Sequence, residues 1–518
     1  MSELRWRRGL FVFCACIAVL VMLAAAAVLV VTGSRWGHER VRRYAESFVS
    51  HLLHGKATIG SISGNLLVGM TVHNFSVMDS TGAPFASVES FSANYSLISL
   101  WQKRIWVENA VAIRPRIVLD HPPAGNWNWQ RLFPRDTTPK PAVQETKWGD
   151  WLRFTNATVV NGQLVVRAPW HPSERLSAAG QDSAIRNALA GKSRLMIARV
   201  PGGFQKTVQL DSVNAKIPLL RLSEPGRKDR LLEVASMSMI AFPFREPGAV
   251  VRDLKGIFPF NNDSVWWKGA YGTMPHSNAS GNGRYAFGSG DLTLSLHSNI
   301  ASFVDTRWIY PRLPIDGHGK VDIVLEWHGA VQDYRMTNID VAFGDGHASG
   351  MFGITLDDSI AIHDTDLRFA GLETHTLEQL ITNFSSPRQG RLAGHVIARG
   401  GRHALNVNAD VTFDDRRAGV SRVMAVGEVG FLDHGGLRAN DLRLQLRPVQ
   451  VDMARTWDPA LPISGVVTGT ATVNGSTKSR LVTVVALDHQ DRGARSTIAG
   501  TATLGLSGDK YFDINVNA

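Results

Sequence analysis

Apolar and polar residues alternate along much of the chain after Thr58, and this period of two constrains the fold more than any other feature of the sequence. In residues 404–414, for example, Leu, Val, Ala, Val and Phe alternate with Asn, Asn, Asp and Thr. Because successive side chains of a β-strand point to opposite faces of a sheet, each such segment has one apolar and one polar face. Gly and Asn/Asp turns separate the segments, as in residues 288–290 and 345–346. The sequence therefore predicts an all-β body of antiparallel strands.

The alternating segments define a set of apolar positions that we expect on one face of the sheet. On successive strands, such positions would offer hydrocarbon a continuous surface. The predicted lining residues are Leu292, Leu294, Leu296, Val321, Ile323, Leu325, Leu405, Val407, Val411, Phe413, Leu442, Leu444, Leu446, Phe512, Ile514 and Val516.

Two architectures fit this alternation. Two sheets can pack their apolar faces against each other and form a closed β-sandwich. Alternatively, repeated β units can stack into an elongated sheet whose apolar face lines an open groove. The alternation alone favours the closed sandwich.

An uncharged run of Leu, Val, Ile, Phe and Ala occupies residues 10–31. At a rise of ~1.5 Å per residue, a helix of these 22 residues covers roughly 33 Å, enough to cross the hydrocarbon core of a bilayer. The run is longer than the apolar region of a cleavable signal peptide, which has about 7–15 residues. We therefore expect an uncleaved single-pass anchor, with a cytoplasmic tail and an extracytoplasmic body. Its apolar positions include Leu10, Phe13, Leu20, Leu23, Leu29 and Val31.

An amphipathic helix is predicted directly after this run. Val41, Ala45, Phe48, Val49 and Leu52 fall on one helical face. Such a face suits a helix that lies in the membrane interface and positions the body against the bilayer. It suits equally a helix that caps the first layer of strands.

Charge and cysteine content exclude several classes of function. The chain has 55 Lys+Arg against 45 Asp+Glu, a formal net charge of +10, but no stretch combines clustered basic residues with aromatic residues as a nucleic-acid groove would. A solvated surface with a slight excess of Arg explains this balance, and anionic lipid headgroups would also be compatible with it. Cys14 and Cys16 both lie in the apolar run, so the body has no disulfide framework and no cysteine nucleophile or metal ligand.

The second half of the chain repeats a unit of about 74 residues. Leu-Pro-Ile-x-Gly occurs at residues 313–317 and 461–465, and a weaker copy contains Gly390, so the three glycines are 73 and 75 residues apart. Each unit is predicted to begin with a short helix, which a Pro ends, and to continue with several alternating strands. The chain stops at Ala518 in mid-alternation, so we expect the series to be truncated there.

These features predict the following organisation. A tail (1–9) precedes the transmembrane anchor (10–31) and a juxtamembrane amphipathic helix (32–57). An N-terminal β unit (58–133) and a linker (134–150) follow. A β region (151–300) contains a polar insertion (171–206) with a short helix at residues 183–190. The repeated β units occupy residues 301–518.

Several short motifs follow the apolar run in a fixed order. Residues 59–69 read Ile-Gly-Ser-Ile-Ser-Gly-Asn-Leu-Leu-Val-Gly, residues 72–77 read Val-His-Asn-Phe-Ser-Val, and Arg-Pro and Gly-Asn-Trp-Asn occur at 114–115 and 125–128. In combination they resemble the N-terminal portion of the AsmA-like superfamily, most closely its TamB type, the inner-membrane subunit of a translocation and assembly module. The residues that carry the resemblance include Gly60, Gly64, Asn65, Leu66, Gly69, Phe75, Arg114, Pro115 and Trp127.

The resemblance implies an inner-membrane anchor and a periplasmic body built as an elongated, open, taco-like β-groove. It implies a role in envelope biogenesis, carrying phospholipid between the inner and outer membranes, with no enzymatic activity and no cofactor. The alternative that the family offers is a scaffold for the assembly or secretion of outer-membrane proteins with an outer-membrane barrel partner. The family members that dock such a barrel use a C-terminal domain, which we do not expect within residues 1–518, so this partnership is not carried over.

Candidate chemical motifs are few, and each has a simpler explanation. His51 and His54 have a spacing seen in metal sites but have no third ligand nearby in the sequence, so no metal site is predicted. Residues 363–366 (His-Asp-Thr-Asp) and 488–491 (Asp-His-Gln-Asp) resemble small acid–base loops, but we expect both in turns between strands. The glycines of residues 344–350 lack the spacing of a dinucleotide loop. Trp127, Trp129, Trp266 and Trp267 are expected to fill the sheet rather than to stack on sugars.

Overall fold

A computed structural model describes residues 34–65, 67–132, 150–172, 174, 176–227, 229–287, 289–328, 331–356, 360–381, 385–432, 436–456, 464–505 and 511–517. The chain divides into two compact units, Met1–Asn261 and Asn262–Ala518. Strands dominate both units, which confirms the predicted β body. The anchor predicted at residues 10–31 lies outside the described residues. Within the described ranges, no helix has both the length and the apolar composition needed to span a bilayer.

The first unit begins with helix α1 (Arg35–Leu52) and contains three further helices, α2 (Leu97–Trp101), α3 (Asn128–Leu132) and α4 (Ala178–Leu189). Its strands are β1 (Lys56–Thr58), β2 (Ser61–Asn65), β3 (Gly69–Met78), β4 (Pro84–Tyr95), β5 (Arg104–Ile113), β6 (Arg116–Asp120), β7 (Trp151–Pro169), β8 (Met196–Val200), β9 (Gly203–Ser223), β10 (Arg230–Val234), β11 (Ser236–Phe242), β12 (Ala249–Val251) and β13 (Asp253–Phe260).

The sheet of the first unit is mixed. β2, β3 and β4 form an antiparallel meander, and β4 pairs with both β5 and β6. β5 and β6 both pair in parallel with the long strand β7, which departs from the all-antiparallel prediction. Antiparallel pairing then continues from β7 to β9 and on to β10 and β11.

Helix α1 caps the first layer of strands. Ser34 begins the helix, and its side chain accepts a hydrogen bond from the backbone N–H of Gly37 (3.1 Å). The inner face places Ala45 against a small core of Ile59, Ile62 and Val72. Of the two roles that the sequence leaves open for this helix, the structure shows the packing of a cap. The outer face of the same helix leaves Trp36 and Tyr44 exposed.

A second small core fixes the end of α3. Leu132 is fully buried with Ala57 and Val77. The neighbouring Asn128 is also 0% exposed. Its amide donates to the carbonyl of Val118 (2.6 Å), and its Oδ1 accepts from the backbone N–H of Asp120 (3.0 Å). A fully buried polar side chain satisfied in this way fixes the position of the helix relative to the strands.

The predicted polar insertion is only partly correct. A helix is present, but α4 begins at Ala178, where the side chain of Ser177 caps it by accepting from the N–H of Gly180 (3.2 Å). At the end of the insertion, β8 and the start of β9 form a hairpin. The linker predicted at residues 134–150 lies, except for Asp150, outside the described residues.

The second unit is an antiparallel meander in which each described strand from β15 to β28 pairs with the strand before it. Its strands are β14 (Ser264–Thr273), β15 (Asn278–Ala286), β16 (Leu292–Ser302), β17 (His318–His328), β18 (Val331–Phe343), β19 (Gly346–Leu356), β20 (Ile360–Glu373), β21 (Gly390–Gly401), β22 (Ala404–Asp415), β23 (Gly419–Phe431), β24 (Leu437–Gln450), β25 (Val466–Ser476), β26 (Leu481–Asp491), β27 (Ala494–Gly505) and β28 (Tyr511–Asn517).

Short helical segments interrupt the meander after every fourth strand. These are α5 (Phe303–Thr306), α6 (Thr374–Leu380) and a 3-10 helix (Val451–Thr456). In two of them the first residue donates its N–H to the repeat glycine, from Phe303 to the carbonyl of Gly317 (2.7 Å) and from Val451 to that of Gly465 (2.9 Å). The ring of Phe303 covers Gly317 so closely that a Cβ there would lie 2.0 Å from it. The three repeat glycines thus lie at the points where the chain passes from a helical segment to the next strand.

Irregular pairing recurs along the meander. Register shifts occur in several ladders, and Asn338, Asp364 and Asp441 adopt positive φ angles of 50°, 45° and 45° at or beside these shifts. Asn and Asp tolerate this left-handed conformation better than other side chains. Such β-bulges bend a strand and increase its local twist.

Candidate functional site: the apolar face of the second unit

The strand register brings predicted lining residues directly opposite one another. Leu294 on β16 pairs with Leu325 on β17, and Leu296 pairs with Ile323. Directly paired residues of an antiparallel ladder project to the same face, with Cβ atoms about 4.5–5.5 Å apart. The predicted positions on these two strands therefore form one surface.

The same surface continues across the next three ladders. Leu325 pairs with Tyr334, Tyr334 with Ile354, and Ile354 with Ile362. On β20 the bulge at Asp364 adds one residue to the strand. Thr365 and Leu367 therefore lie on the same face as Ile362. Leu367 then pairs with Val396 on β21.

From β21 onward the same face continues across six further ladders, two of which contain register shifts. Val396 pairs with Ala409, Ala409 with Ala425, and Ala425 with Leu444. Leu444 pairs with Ala471, and Ala471 with Val485, while the neighbouring Leu487 pairs with Ile498. We call this continuous set the apolar stripe: Leu294, Leu325, Tyr334, Ile354, Ile362, Leu367, Val396, Ala409, Ala425, Leu444, Ala471, Val485, Leu487 and Ile498.

The stripe is long relative to a lipid tail. It crosses the twelve strands from β16 to β27, which at about 4.8 Å between neighbours corresponds to a path of roughly 50 Å along the sheet. Small residues occupy much of its middle, at Ala409, Ala425 and Ala471. Larger side chains flank them, such as Val411 and Leu446.

Burial distinguishes this face from the interior of a closed sandwich. The described lining residues are half-buried, while their neighbours Thr293, Ser295, Asn406 and Gln445 are exposed. In the first unit, by contrast, Leu132 is 0% exposed. Leu and Val on a face sealed by a second layer would be buried to a comparable degree. Within the described part of the second unit, the Leu, Val, Ile and Tyr residues of the stripe are only half-buried, and Ala409 and Ala471 are the buried members.

The predicted lining residues have these positions. Leu292, Leu294 and Leu296 lie on β16, and Val321, Ile323 and Leu325 on β17. Leu405, Val407, Val411 and Phe413 lie on β22, and Leu442, Leu444 and Leu446 on β24. Phe512, Ile514 and Val516 lie on β28, whose ladder places them opposite Leu504, Ala502 and Gly500.

The opposite face carries pairs of histidine and aspartate on neighbouring strands. His297 Nδ1 lies 2.5 Å from Asp322 Oδ1, and His395 Nε2 lies 2.7 Å from Asp366 Oδ1. Hydrogen bonds from Asn338 and His297 hold the pKa of Asp322 below its usual range. These pairs connect adjacent strands on the polar face, where the histidine and aspartate side chains remain accessible to solvent.

The motif at residues 363–366 lies inside a strand, so its prediction as a turn is wrong. It falls within β20, where Asp364 adopts a φ of 45° in a bulge, and Asp is a residue type that is also common in turns. His363 Nε2 lies 2.7 Å from Asp333 Oδ1, and its Nδ1 lies 3.0 Å from Asp364 Oδ2. The hydroxyl of Thr355 donates to Asp333 (2.7 Å) and is therefore not poised against the imidazole.

These side chains line a cavity of about 530 Å³ on the polar face, together with Arg335 and Arg399. The hydrogen bond from His363 is the largest cause of the lowered pKa of Asp364, to which Arg335 and Arg399 also contribute. In the described parts of the chain, no group of three or more His, Cys, Asp or Glu residues could hold a metal ion.

The motif at residues 488–491 likewise lies at the end of β26 and not in a turn, which corrects that prediction too. His489 Nε2 lies 2.6 Å from the carbonyl of Ser464, and the hydroxyl of Ser464 donates to Asp491 (2.6 Å). These contacts connect the strand end to the segment that precedes β25.

Most of the described residues that carry the family resemblance lie at turns and strand ends of the first unit, and Phe75 lies within β3. Gly64, Asn65 and Gly69 belong to the β2–β3 hairpin, and Phe75 packs against both small cores. Arg114 has a φ of 49° and binds Glu89 (2.7 Å). Trp127 stacks on His121, with ring centroids 4.8 Å apart. Gly60 precedes β2, Pro115 accepts from the N–H of Gln163 (2.8 Å), and Leu66 lies outside the described residues.

Comparison with known proteins identifies no relative. No protein-family model, no curated protein and no solved structure matches this chain.

Proposed function

We propose that this chain is an inner-membrane-anchored, periplasmic protein of the TamB/AsmA-like kind, which carries phospholipid between membranes along the apolar stripe. The observation that carries the proposal is the continuous face of apolar side chains from Leu294 to Ile498, most of them half-buried. The uncharged run at residues 10–31 supports a membrane anchor, because its length matches the hydrocarbon core.

The energetic need for such a surface is large. Exposing one methylene to water costs about 0.8 kcal/mol, so a chain of fifteen methylenes costs roughly 12 kcal/mol. A surface of Leu, Val and Ile side chains replaces part of the bilayer hydrocarbon at every step of the path. The polar headgroup can remain in water at the edge of the stripe. A lipid held in this way has no single high barrier to cross.

A lipid-transfer assay tests the proposal. The full chain is reconstituted in donor vesicles that contain a fluorescent phospholipid, and arrival of this lipid in acceptor vesicles is recorded. Leu294→Asp and Leu444→Asp place a charge on the stripe and are expected to reduce transfer several-fold. The controls Ser295→Asp and Gln445→Asp place the same charge on the exposed neighbouring positions and are expected to leave it unchanged.

Equal transfer by all four variants would contradict the proposal. Transfer that is unaffected, combined with crosslinking of unfolded outer-membrane proteins to strand backbones, would favour the assembly scaffold instead.

The anchor is tested separately. Leu20→Arg combined with Leu23→Arg is expected to make the protein extractable from membranes at alkaline pH, because each charge at the centre of a span opposes insertion by about 2.5–3.5 kcal/mol. Retention of this variant in the membrane pellet would contradict a single-span anchor at residues 10–31.

A further inference from the structure

Three segments of the first unit meet at one end of its sheet. The N-terminal part of α1 reaches the β2–β3 hairpin, where His38 Nε2 lies 2.9 Å from the carbonyl of Gly64. The tip of this hairpin meets the end of β4, where the N–H of Tyr95 donates to the carbonyl of Val68 (3.1 Å). Helix α2 follows Tyr95 directly. The start of α1, the hairpin tip and α2 therefore lie close together.

This end exposes an unusual amount of apolar surface. Its exposed fractions are 59% for Trp36, 60% for Val68, 45% for Leu97, 74% for Ile98 and 91% for Trp101. We call these five residues the apolar collar. Single exposed apolar residues are ordinary, but a cluster of large ones marks a surface that contacts another molecule or a membrane.

The construction of α2 explains why its apolar residues point outward. Ser96 caps the helix, and its hydroxyl accepts from the N–H of Ser99 (3.3 Å). Ser99 is buried, so the small polar residue takes the inner side of this single turn. Leu97, Ile98 and Trp101 are left exposed to solvent. A helix selected only for folding would bury the large residues and expose the serine.

Basic residues accompany the collar. Arg35 and Arg40 on α1 are exposed, and the guanidinium of Arg40 lies 4.7 Å from the ring centroid of Trp36. Lys103 and Arg104 follow α2 after Gln102 and are half-buried, and the guanidinium of Arg104 lies 4.8 Å from the ring centroid of Trp151. Glu39 is the acidic residue of the first helical turns, and its carboxylate is already paired with Arg42 and Arg43. Trp and Arg together are typical of a membrane interface with anionic headgroups.

The collar also lies where the chain would leave a membrane. Residues 32–34 are the short connection between the uncharged run that ends at residue 31 and the start of α1. We infer that the apolar collar is a membrane-seating surface, which inserts Ile98 and Trp101 into the headgroup region and holds the first unit against an anionic bilayer. This inference rests on the membrane anchor of the proposed function. It does not depend on lipid transport by the stripe.

Depth-dependent fluorescence quenching tests the inference. The full chain, with Cys14 and Cys16 replaced by Ser, is reconstituted in nanodiscs of phosphatidylcholine and phosphatidylglycerol. A bimane label is attached to a single cysteine in Ile98→Cys or Trp101→Cys. The matched control is Ile113→Cys, an exposed position at the far end of β5 and about 30 Å from its start at Arg104. Nitroxide-labelled phospholipid is the quencher.

We expect nitroxide lipid to quench bimane at residues 98 and 101 several-fold more strongly than at residue 113. Equal quenching at the three positions would overturn the inference. Strong quenching of residues 98 and 101 by nitroxide-labelled copies of the protein, without quenching by nitroxide lipid, would also overturn it and would assign the collar to self-association.

The outcome is separable from that of the proposed function. Failure of the collar would leave labels at residues 98 and 101 unquenched, while the lipid-transfer assay still responded to Leu444→Asp. Failure of the conduit would leave transfer insensitive to Leu444→Asp, while quenching at the collar persisted.

As a second variant, Ile98→Ser combined with Trp101→Ser is expected to reduce lipid quenching of a label at Val68→Cys several-fold. Unchanged quenching at residue 68 would contradict a shared seating surface.

Discussion

His363 reaches Asp333 across an intervening strand, with Nε2 2.7 Å from Oδ1. His363 lies on β20 and Asp333 on β18, and the strand between them contributes Gly353. A Cβ at Gly353 would lie 2.5 Å from the imidazole and 2.6 Å from the backbone oxygen of His363. The contact between His363 and Asp333 on the polar face therefore requires a glycine at position 353.

Gly353→Ala is expected to destabilise the second unit by about 1–3 kcal/mol, since the added methyl group must displace both the ring and the backbone of β20. Urea unfolding followed by Trp fluorescence measures the change. Gly401→Ala is the control, because its nearest neighbour lies 4.0 Å from the added Cβ. Equal stability of the two variants would contradict the crowded placement of His363.

Asp79 gives the first unit a predictable response to acid. Its side chain is fully buried and pairs with Arg131 (2.5 Å). Burial alone raises the pKa of Asp79, but hydrogen bonds from Thr81, from Arg131 and from the backbone of Ala83 outweigh it, so the pKa lies below its usual value. A lowered folded-state pKa means that the ionised form stabilises the fold above an unfolded pKa of about 3.9. This stabilisation is lost as the pH falls below that value, through the folded-state pKa.

Asp79→Asn is therefore expected to cost about 3–5 kcal/mol at neutral pH, because it leaves the partly buried Arg131 without its charged partner. The difference in unfolding free energy between wild type and variant should shrink as the pH falls below 4, which unfolding titrations at several pH values measure. A difference that stays constant down to the lowest pH would show that the ion pair contributes nothing.

Replacement of Asn128 is expected to destabilise the fold as much as replacement of an apolar core residue. Asn128→Ala removes the partners of the Val118 carbonyl and the Asp120 N–H, and each buried group left unpaired costs about 1–3 kcal/mol. The unfolding free energy should drop by at least about 2 kcal/mol on this basis. Asn126→Ala, at a nearby exposed position, is the control. A comparable small loss in both variants would argue against the buried network.

The bulge at Asp441 is tested through its backbone conformation. Its φ of 45° is costly for a β-branched residue. Asp441→Val is expected to destabilise the second unit by about 1–2 kcal/mol, whereas Asp441→Gly should be close to neutral. Asn440→Val, at the adjacent exposed position, is the control for side-chain type. Thermal unfolding distinguishes the three, and indistinguishable variants would contradict a bulge at residue 441.

Local alternation was sufficient to predict the strands. The alternating segments around Leu294, Val407 and Leu444 are strands in the structure because a period of two leaves no helical face to bury. Bulges were not predicted. An Asp or Asn at positive φ inside a strand has the composition of a turn, and for this reason the sequence of residues 363–366 predicts a turn.

Tertiary relations could not be predicted from the same pattern. Alternation in Leu442, Leu444 and Leu446 is identical whether the face is covered by a second sheet or left half-buried, so burial had to come from the structure. The parallel pairing of β5 and β6 with β7 is equally invisible in a single segment. Helix α2 has only five residues, which is too few to show a helical period in the sequence, so the outward orientation of its apolar residues could not be predicted.

Photo-crosslinking from the apolar stripe tests the central claim most directly. A photoreactive amino acid replaces Leu294, Val407 or Leu444 in the membrane-reconstituted chain, and Ser295, Asn406 and Gln445 serve as exposed controls on the opposite face. After irradiation, mass spectrometry is expected to find phospholipid attached at the three stripe positions and absent at the three controls. Stripe positions that carry no lipid, or that carry no more than the controls, would contradict the account.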